Sequence, residues 1–364
     1  MSINKQLSKK ILTIGPDYRN HRGGIGAVID IYNKYFYKLN FVPTYRVGSA
    51  LYKSYVFLVG LLKISYTLLR NRKIMIVHIH GASEGSFYRK FICFVISKYV
   101  YRKKIIYHVH GAEYHLYFAK SKAIRKLAIR KFINNVDCLI CLSESWKQFF
   151  EENFNTKKIE ILPNIIDYPV IREKKGDTKK IRFLFLGIID NRKGIFDVIE
   201  VIKNNVDMFD HKIELFIGGN SEVIKLQNLI EKYQISNIVK FLGWIQNEIK
   251  LQYLQNTDVY ILPSYNEGLP ISILEAMSYG KPIISTDVGG IPEIVKNNEN
   301  GFLLTPGNLE QIEKSMKYFI ENPQDIEKFG KNSIKMVEKH LPNSVVLQLE
   351  NLYNQILNHS KKCD

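Results

Sequence analysis

Two glutamates, Glu267 and Glu275, stand eight positions apart in the stretch NEGLPISILEAM, which covers residues 266–277. The first precedes a Gly-Leu-Pro turn, and the second lies within an apolar run. Carboxylates can accept hydrogen bonds from hydroxyl groups and can stabilise positive charge on a ligand. Because a charged group among apolar residues is costly unless it is paired, the two glutamates are the first candidates for binding or catalysis.

The element that must position them is a helix after the turn. We expect it to begin near Leu269 or Pro270 and to end near Gly280, since proline is tolerated in a first helical turn. Eight residues at 1.5 Å each would separate the carboxylates by roughly 12 Å along the axis. A ligand with hydroxyls at both ends and phosphates in the middle, such as a sugar nucleotide, would suit them and the anion-binding helix start. The alternative is structural, with Glu267 as a helix cap and Glu275 as an exposed helix residue.

Two further segments are candidates for phosphate binding. Arg192 and Lys193 lie in DNRKG (190–194), directly after an apolar segment, although composition alone would make this a solvated turn. Gly23 and Gly24 lie in HRGGIGAV (21–28), where glycine lets the backbone approach a phosphate or a sugar closely. This loop lacks the Gly-x-Gly-x-x-Gly pattern with a following acidic residue, which disfavours a nicotinamide-dependent enzyme.

Histidines and cysteines recur at regular spacing. HIHG (78–81) and HVHG (108–111) each place two histidines on one face of a strand. Four histidines could hold a metal, but no carboxylate spacing supports this, and core or loop positions are the alternative. CLIC (138–141) lies in an apolar run without a second cysteine pair, so buried structural cysteines are expected.

Short apolar segments alternate with longer amphipathic ones along the whole chain. This pattern predicts an α/β fold of two layered domains that face each other across a cleft. Residues 161–180 have the prolines and the lysine patch of a linker. The predicted organisation is an N-terminal domain over 1–165, a linker over 166–180, a C-terminal domain over 181–342, and a C-terminal helix over 343–364 that packs back toward the N-terminal domain. Buried parallel strands are predicted at 9–15, 73–81, 103–111, 136–143, 181–187, 212–219, 238–243, 257–264 and 281–290.

Positive charge is concentrated in the first half of the chain. Residues 1–170 contain 28 Lys and Arg against 10 Asp and Glu, whereas residues 171–364 contain 24 against 25. The excess indicates an anionic partner such as lipid headgroups, phosphate or nucleic acid, with a merely solvated surface as the alternative. Four cysteines and the lack of a signal-peptide pattern favour a reducing, cytosolic setting.

Two segments are expected to form basic amphipathic helices that lie on a membrane or pack on their own domain. YVFLVGLLKISYTLL (55–69) is interrupted by Lys63 and is too short to span a bilayer. KSKAIRKLAIRKF (120–132) has a basic and an apolar face; the cations are Lys122, Lys126 and Arg130, and the apolar residues are Ile124, Leu127 and Ala128.

The second half of the chain resembles the retaining glycosyltransferases of family 4, and the two glutamates are similar to the Glu-x7-Glu motif of that family. The resemblance extends over LPS, EGLP and LEAM, the following GKPIISTDVGGIPEIV, and two upstream segments, FLFLGIIDNRKGIFDVIEVI (183–202) and FLGWIQNEIKLQYLQNTDVYILPS (241–264). The first half is similar more loosely, through its glycine-rich loop and HVHG. The resemblance implies a GT-B architecture, with two Rossmann-like β/α/β domains facing across a cleft.

The resemblance also implies roles for single residues. Glu267 would contact the donor sugar and stabilise positive charge on it, His110 would hydrogen-bond that sugar, and Glu275 would bind the ribose. Family loop positions that line the cleft correspond to Asn164, Ser143 and Glu144. The residues expected to hold the donor diphosphate are Arg192, Lys193, Gly23, Gly24, Gly268, Leu269 and Ile271.

This chain departs from the family at one position. The family usually has an arginine directly after the strand glycine, whereas here Ile188 follows Gly187. Either Arg192 takes over that role or the leaving group is held more weakly. No tightly bound metal or other cofactor is expected beyond the nucleoside-diphosphate sugar, which is the donor substrate.

The implied function is retaining transfer of a sugar from a nucleoside-diphosphate sugar to a hydroxyl of a lipid-linked or growing glycan, in capsule, lipopolysaccharide or related polysaccharide synthesis. EGLP, where some mannosyl enzymes have EGFG, favours a UDP-sugar. The alternatives are an epimerase or phosphorylase of the same fold, and a non-catalytic glycan-binding subunit; a nucleic-acid-binding protein lacks any recognition motif.

A membrane location follows from the same resemblance. The N-terminal half holds the acceptor in this family, and such acceptors are carried on polyprenyl phosphates. We therefore expect a cytoplasmic protein bound peripherally to the anionic inner face of the plasma membrane. The basic side chains expected to make this contact are Lys122, Arg125, Lys126 and Arg130.

Overall fold

The structure is a computed structural model that describes residues 2–19, 23–170 and 180–358. The chain divides into two compact units. Unit 1 comprises Met1–Ile166 and His340–Asp364, and unit 2 comprises Asp167–Lys339. Residues 171–179, which form most of the predicted linker, lie outside the described residues.

Unit 1 is built on a six-stranded parallel sheet with the strand order β2-β1-β3-β4-β5-β6. Helices on both faces bury the apolar central strands, as parallel sheets require. The strands are β1 (Ile11–Pro16), β2 (Phe41–Tyr45), β3 (Ile76–Gly81), β4 (Lys104–Val109), β5 (Cys138–Cys141) and β6 (Ile159–Ile161). The helices are α1 (Lys5–Ser8), α2 (Gly24–Tyr35), α3 (Ala50–Arg70), α4 (Gly85–Val95) with a π-helical end (Ile96–Val100), α5 (Tyr114–Ala119), α6 (Ala123–Asn135) and α7 (Glu144–Asn153).

Unit 2 has a second six-stranded parallel sheet, ordered β12-β11-β10-β7-β8-β9. Its strands are β7 (Ile181–Ile189), β8 (Ile213–Ser221), β9 (Val239–Gly243), β10 (Val259–Leu262), β11 (Ile283–Thr286) and β12 (Gly301–Leu304). Its helices are α8 (Ile195–Asn204), α9 (Val206–Phe209), α10 (Val223–Lys232), α11 (Asn247–Asn256), α12 (Ile271–Ser278), α13 (Leu309–Glu321) and α14 (Asp325–Val337). Short 3-10 turns occupy Asn191–Lys193, Ile291–Glu293 and Glu338–His340.

The last helix, α15 (Pro342–Asn358), belongs to unit 1. Tyr353 on this helix is buried, and its hydroxyl shares a 2.7 Å hydrogen bond with Nδ1 of His78 on β3. Lys158 also donates to Gln355 at 2.6 Å. The chain therefore returns to unit 1 after completing unit 2. Residues 359–364 of the predicted C-terminal helix lie outside the described residues.

The strand order of unit 2 reverses between β7 and β10. From β7 the chain adds β8 and β9 on one side, and then β10, β11 and β12 on the other. At such a switch point the loops after the two central strands part, and the crevice between them is where doubly wound sheets bind ligands. In this unit those loops are residues 190–194 and 263–270.

The two-domain, Rossmann-like α/β fold predicted from the sequence is confirmed. Strands β2, β6 and β12, which lie at sheet edges, were not predicted from the sequence. They are short and only partly buried, so they lack the continuous apolar run by which the central strands were predicted.

Helix α6 covers most of the segment that was predicted to be an amphipathic helix at 120–132. Helix α6 packs on unit 1 through Ile129, Phe132 and Ile133, whereas Ile124 and Leu127 are exposed. The apolar face predicted from the sequence thus lies away from the core of unit 1, with only Ala128 partly buried.

Candidate active site

Glu267 lies in the loop between β10 and α12, and it is only 6% exposed. Its Oε1 accepts a hydrogen bond from Ser264 Oγ at 2.9 Å and another from Lys193 Nζ. Lys193 follows β7, so this ion pair joins the two loops at the switch point. Both charged groups are largely shielded from water, which strengthens their attraction.

The turn that carries Lys193 is fixed by its neighbours. The Lys193 N–H donates to Asp190 Oδ1 at 2.9 Å, which caps the 3-10 turn. Gly194 has φ +70°, and a Cβ at this position would lie 2.0 Å from the carbonyl oxygen of Pro263. Only glycine fits there, because both the backbone conformation and the close approach exclude a side chain. The turn is thereby pressed against the loop that carries Glu267.

Arg192 also holds that loop. Its Nη1 donates to the carbonyl oxygen of Asn266 at 3.2 Å, and its own carbonyl oxygen accepts from the Tyr265 N–H at 2.8 Å. Asp190 lies 3.9 Å from the guanidinium. Ile188 is on β7, opposite Asn220 of β8, and it adds no charge to this edge. Within the described chain, Arg192 and Lys193 are thus the basic residues of the turn after β7.

A second glycine turn supports the other side of Glu267. Gly289, after β11, has φ +56°, and a Cβ there would lie 1.9 Å from the Glu267 carbonyl oxygen. The Gly290 N–H donates to the carbonyl oxygen of Gly268 at 2.6 Å. The backbone at Glu267 and Gly268 is therefore held from β11 as well as from β7.

Helix α12 begins later than predicted. Ile271 is its first residue and Pro270 is the N-cap. The predicted distance of 12 Å along one helix axis is wrong, because residues 267–270 are not helical. Glu275 lies four residues from the helix start, which is about 6 Å, or roughly one turn rather than two.

The two sides of α12 differ in burial. Ile273, Leu274 and Met277 are fully buried, whereas Ile271 is only partly buried. The side chain of Leu269 is 5% exposed, so it anchors the turn in the core. The helix therefore packs through one side while its first residue and Glu275 remain accessible.

Glu275 forms a second lysine–glutamate pair. Its Oε1 lies 2.6 Å from Nζ of Lys250 on α11, and both side chains are about one-quarter exposed. Lys250 was not predicted from the sequence, because Glu275 is 25 residues away from it and the local spacing gives no sign of the contact. The described part of unit 2 thus places two carboxylates, each with its own ammonium partner, on the loop and helix after β10.

His110 and Asn164 come together in unit 1. His110, at the end of β4, is partly buried, and its Nε2 shares a 3.0 Å hydrogen bond with Nδ1 of His80. Burial lowers the pKa of His110 to about 3. A hydrogen bond with the side chain of Asn164 acts in the opposite direction and raises this pKa, but by less than burial lowers it. The imidazole is therefore neutral at physiological pH and can both donate and accept a hydrogen bond.

Four histidine rings form a stack along β3 and β4. The ring centroids of His78 and His80 are 4.3 Å apart, and those of His108 and His110 are 4.1 Å apart. Nitrogen atoms of His78, His80 and His108 lie within 4.8 Å of one another, so this group could hold a metal ion. The ring of His78 is stacked on those of His80 and His108, with interplanar angles of 24° and 12°. The expectation that no tightly bound metal is needed stays a prediction.

The remaining predicted residues of unit 1 lie at helix starts. The Ser143 hydroxyl caps α7 by accepting from the Trp146 N–H at 3.4 Å, and Glu144 is exposed in the first turn. Gly23 is the N-cap of α2, and Gly24 is its first residue. Asn20, His21 and Arg22 of the same loop lie outside the described residues.

Unit 1 also contains a pocket of about 420 Å³ at the carboxyl ends of β3 and β4. Its walls combine two carboxylates, two tyrosine rings and two cations. Arg125 lies over the rings of Tyr88 and Tyr117, 5.8 Å from each centroid. Glu84 has φ +53°, a strained value for a residue other than glycine, and such strain is retained mainly at functional positions. The polar and aromatic lining consists of Ser83, Glu84, Tyr88, Glu113, Tyr117, Lys120 and Arg125.

Each of the two units is built on a parallel sheet, and charged side chains gather at the switch point of unit 2. This arrangement is typical of a two-domain enzyme of the Rossmann-like α/β class. Residues 167–336 match the family Glycosyl transferases group 1, and residues 31–168 match Glycosyltransferase Family 4. The chain therefore belongs to the GT-B glycosyltransferases of family 4, and it is a glycosyltransferase. The resemblance to family 4 is thereby confirmed, and the retaining mode stays a prediction.

Known proteins are similar over much of the chain. An uncharacterized glycosyltransferase of Haemophilus influenzae is 29% identical over 60% of this chain and 62% of its own length. A UDP-Gal:alpha-D-GlcNAc-diphosphoundecaprenol alpha-1,3-galactosyltransferase of Escherichia coli is 27% identical over 82% of this chain and 81% of its own. The Anabaena protein HepE, solved in complex with UDP, superposes with a TM-score of 0.71 at 16% identity, covering 96% of this chain and all of HepE.

Proposed function

We propose that this glycosyltransferase moves a sugar from a UDP-sugar to a hydroxyl of a lipid-linked or growing glycan, with retention of the anomeric configuration, in the synthesis of cell-surface polysaccharides. The observation that carries the proposal is the Lys193–Glu267 pair at the switch point, with Glu275 one turn into the adjoining helix. The UDP complex of HepE supports the nucleotide, and the name of the Escherichia coli relative supports a diphosphate-linked lipid acceptor.

Each part of the donor has a matching group in this proposal. Glu275 binds the ribose hydroxyls, and Lys250 pairs with Glu275 in the structure. Lys193, Arg192 and the backbone at the start of α12 bind the diphosphate, since free N–H groups and cations favour phosphate oxygens. The residues proposed for this backbone contact are Gly268, Leu269 and Ile271, with Gly23 and Gly24 of unit 1.

Lys193 changes partner during the reaction in this proposal. Its ammonium group pairs with Glu267 in the structure, and an arriving diphosphate offers it a more strongly charged partner. Moving Lys193 to the phosphate would leave the Glu267 carboxylate facing the sugar. Ser264 still donates to Glu267 at 2.9 Å and keeps the carboxylate oriented. His110 is proposed to hydrogen-bond the donor sugar.

The chemical step breaks the bond between the anomeric carbon and the diphosphate oxygen. The acceptor hydroxyl attacks from the same face, and its proton passes to the departing phosphate oxygen. The sugar carries positive charge at the transition state, and Glu267 stabilises that charge while Lys193 and Arg192 stabilise the leaving diphosphate. No side-chain general base is required.

The acceptor is proposed to bind in the pocket of unit 1. Glu84 and Glu113 can accept hydrogen bonds from sugar hydroxyls, and the tyrosine rings offer an apolar face on which a sugar can lie. Lys120 can bind a phosphate at the reducing end of the glycan. The volume of about 420 Å³ lies within the usual range for small-molecule sites.

The protein is further proposed to lie on the anionic inner face of the plasma membrane, with α6 as one contact. Lys122, Arg125, Lys126 and Arg130 would meet the headgroups, beside the exposed Ile124 and Leu127. Lys126 and Arg130 lie over the ring of Phe118, which holds their side chains on one side of the helix.

Thermal melting in the presence of nucleotides tests the proposed donor. UDP and UDP-sugars should raise the melting temperature in proportion to the logarithm of their concentration, whereas GDP and GDP-sugars should not. The UDP-sugar that stabilises most is then incubated without acceptor, where slow hydrolysis but no epimerised donor is expected. Stabilisation by GDP alone, or an epimerised product, would contradict the proposal.

A further inference from the structure

Helix α3 (Ala50–Arg70) carries an apolar stripe that no other described part of the chain covers. Its members recur three or four residues apart, and each is between 60% and 85% exposed. At 100° per residue they fall within a sector of about 80° and extend for roughly 27 Å along the helix. The stripe consists of Leu51, Tyr55, Leu58, Leu62, Tyr66 and Leu69.

The opposite side of α3 is the one that packs on unit 1. Val56, Ile64 and Leu68 are buried there. Gly60 allows the closest approach, since a Cβ at this position would lie 2.8 Å from the carbonyl oxygen of Pro43 on β2. The other side of the helix therefore makes the contacts with the sheet edge, and the fold does not require the apolar residues of the stripe. An exposed apolar surface of this length usually marks a binding face.

The charges around the stripe are all positive. Residues 50–73 contain five basic residues and no acidic residue. Lys63 and Arg70 are exposed, and neither forms an ion pair within the described part of the chain. A second copy of this chain would bring the same cations against one another, whereas an anionic bilayer complements them. Leucine and tyrosine on one side with lysine and arginine at its border are the composition of a helix that lies in a membrane interface.

We infer that α3 lies in the surface of an anionic bilayer, with the stripe inserted among the lipid acyl chains and Lys63 and Arg70 at the headgroups. None of the described helices is long and apolar enough to span a membrane. The inference rests on the proposed lipid-linked acceptor for its biological purpose, but not for its physical argument. It also gives the bilayer contact a hydrophobic component, which the basic residues of α6 alone would not supply.

Co-sedimentation with vesicles tests the inference directly. The wild-type protein should bind vesicles of phosphatidylglycerol and phosphatidylcholine, and part of this binding should persist at high salt because burial of the stripe is not electrostatic. The double substitution Leu58→Ser and Leu62→Ser should weaken partitioning by about tenfold or more. The control is Ile224→Ser on α10 of unit 2, an equally exposed apolar residue, which should leave binding unchanged.

The outcomes separate this inference from the proposed function. Circular dichroism and melting curves establish that the double variant is folded, and transfer to a soluble acceptor should continue at the wild-type rate. If the double variant binds vesicles as tightly as the wild type, or if the wild type binds none, the inference is overturned. A wild-type dimer that the double variant converts to a monomer, without vesicle binding, would assign the stripe to self-association. A protein that binds vesicles but transfers no sugar would refute the proposed function and leave α3 as a membrane helix.

Discussion

At the scale of single residues, the candidate site consists of two carboxylates, each of which forms an ion pair with a lysine. Glu267 is paired with Lys193, and Glu275 with Lys250. Pairing lowers the cost of holding a carboxylate in a largely buried place, and the Lys193 pair also keeps a cation next to the proposed diphosphate site. In the proposed function, Lys193 leaves Glu267 and binds the diphosphate when the donor arrives.

Replacing Glu267 by glutamine removes the negative charge of the side chain and keeps its size, so it tests the role of the charge alone. We expect Glu267→Gln to reduce kcat by about 10²–10³-fold, because a preorganised charge at the reacting sugar is lost. The affinity for UDP should not fall, since Glu267 faces the sugar in this proposal and its loss leaves Lys193 available to the diphosphate. Initial rates of UDP release and calorimetric titration measure the two quantities. Glu327→Gln, an exposed glutamate of α14 in the same unit, is the control, and an equal loss of activity there would refute the assignment.

The sequence pointed to Glu267, Glu275 and Lys193, but not to Ser264 or Lys250 as their partners. The motif residues are found because their spacing along the chain is fixed by a loop and a helix. Lys250 reaches Glu275 from another helix, and this contact depends on how α11 packs beside α12. Side-chain partners across elements are set by tertiary packing, which no local pattern encodes.

At the scale of elements, glycine turns hold the loop of Glu267 in place. The turn after β7 contacts Pro263, and the turn after β11 contacts Glu267 and Gly268. Both approaches are too close for a Cβ atom. The central strands and the Gly-rich turns were predictable from apolar runs and glycine positions, whereas the start of α12 was placed too early because Pro270 was expected inside the first turn rather than at its cap.

An alanine at Gly289 should therefore disturb the site as well as the stability. Gly289→Ala places a Cβ against the Glu267 carbonyl oxygen and also strains a backbone with φ +56°. We expect the free energy of unfolding to fall by about 2–4 kcal/mol, and activity to fall further than stability explains. Gly243→Ala is the matched control, since Gly243 has φ +72° but open space around it, and should cost only about 1 kcal/mol. Urea unfolding and UDP-release rates compare them, and equal losses in both variants would contradict a role for the Gly289 contact.

At the scale of the whole molecule, the two units differ in net charge, because the first half of the chain is strongly basic and the second half is nearly neutral. Unit 1 holds the basic excess, the exposed stripe of α3 and the histidine stack, while unit 2 holds the proposed donor site. The charge division and the alternation of strands and helices were readable from the sequence. The histidine stack was visible only as two motifs, because the pairing of β3 with β4 is what brings the four rings together.

The histidine stack should make stability depend on pH. Burial lowers the pKa of His78 to about 3, so the native state favours the neutral ring. The contribution of the neutral His78 ring to the free energy of unfolding is complete above the pKa of unfolded histidine, about 6.5. As the pH falls from there toward 3, the free energy of unfolding decreases by about 1.4 kcal/mol per pH unit for each such histidine. The melting temperature should therefore drop between pH 7 and pH 5.

The variant His108→Leu identifies the source of this dependence. Burial also lowers the pKa of His108, and neither of its ring nitrogens has a hydrogen-bond partner among the described residues. Replacing it should reduce the slope of stability against pH without breaking a hydrogen bond. His211→Gln alters a histidine whose side chain is 87% exposed, and should keep the wild-type slope. An unchanged slope in His108→Leu would show that other groups control the acid sensitivity.

The central claim is that unit 2 binds the donor nucleotide through the helix that carries Glu275. Calorimetric titration of UDP into the wild type, Glu275→Ala and the control Glu327→Ala tests it most directly. Loss of hydrogen bonds from the ribose to a charged carboxylate should weaken UDP binding by about 1.5–3 kcal/mol, or more than tenfold in Kd. Glu327→Ala should bind as the wild type does. Wild-type affinity in Glu275→Ala would contradict the account.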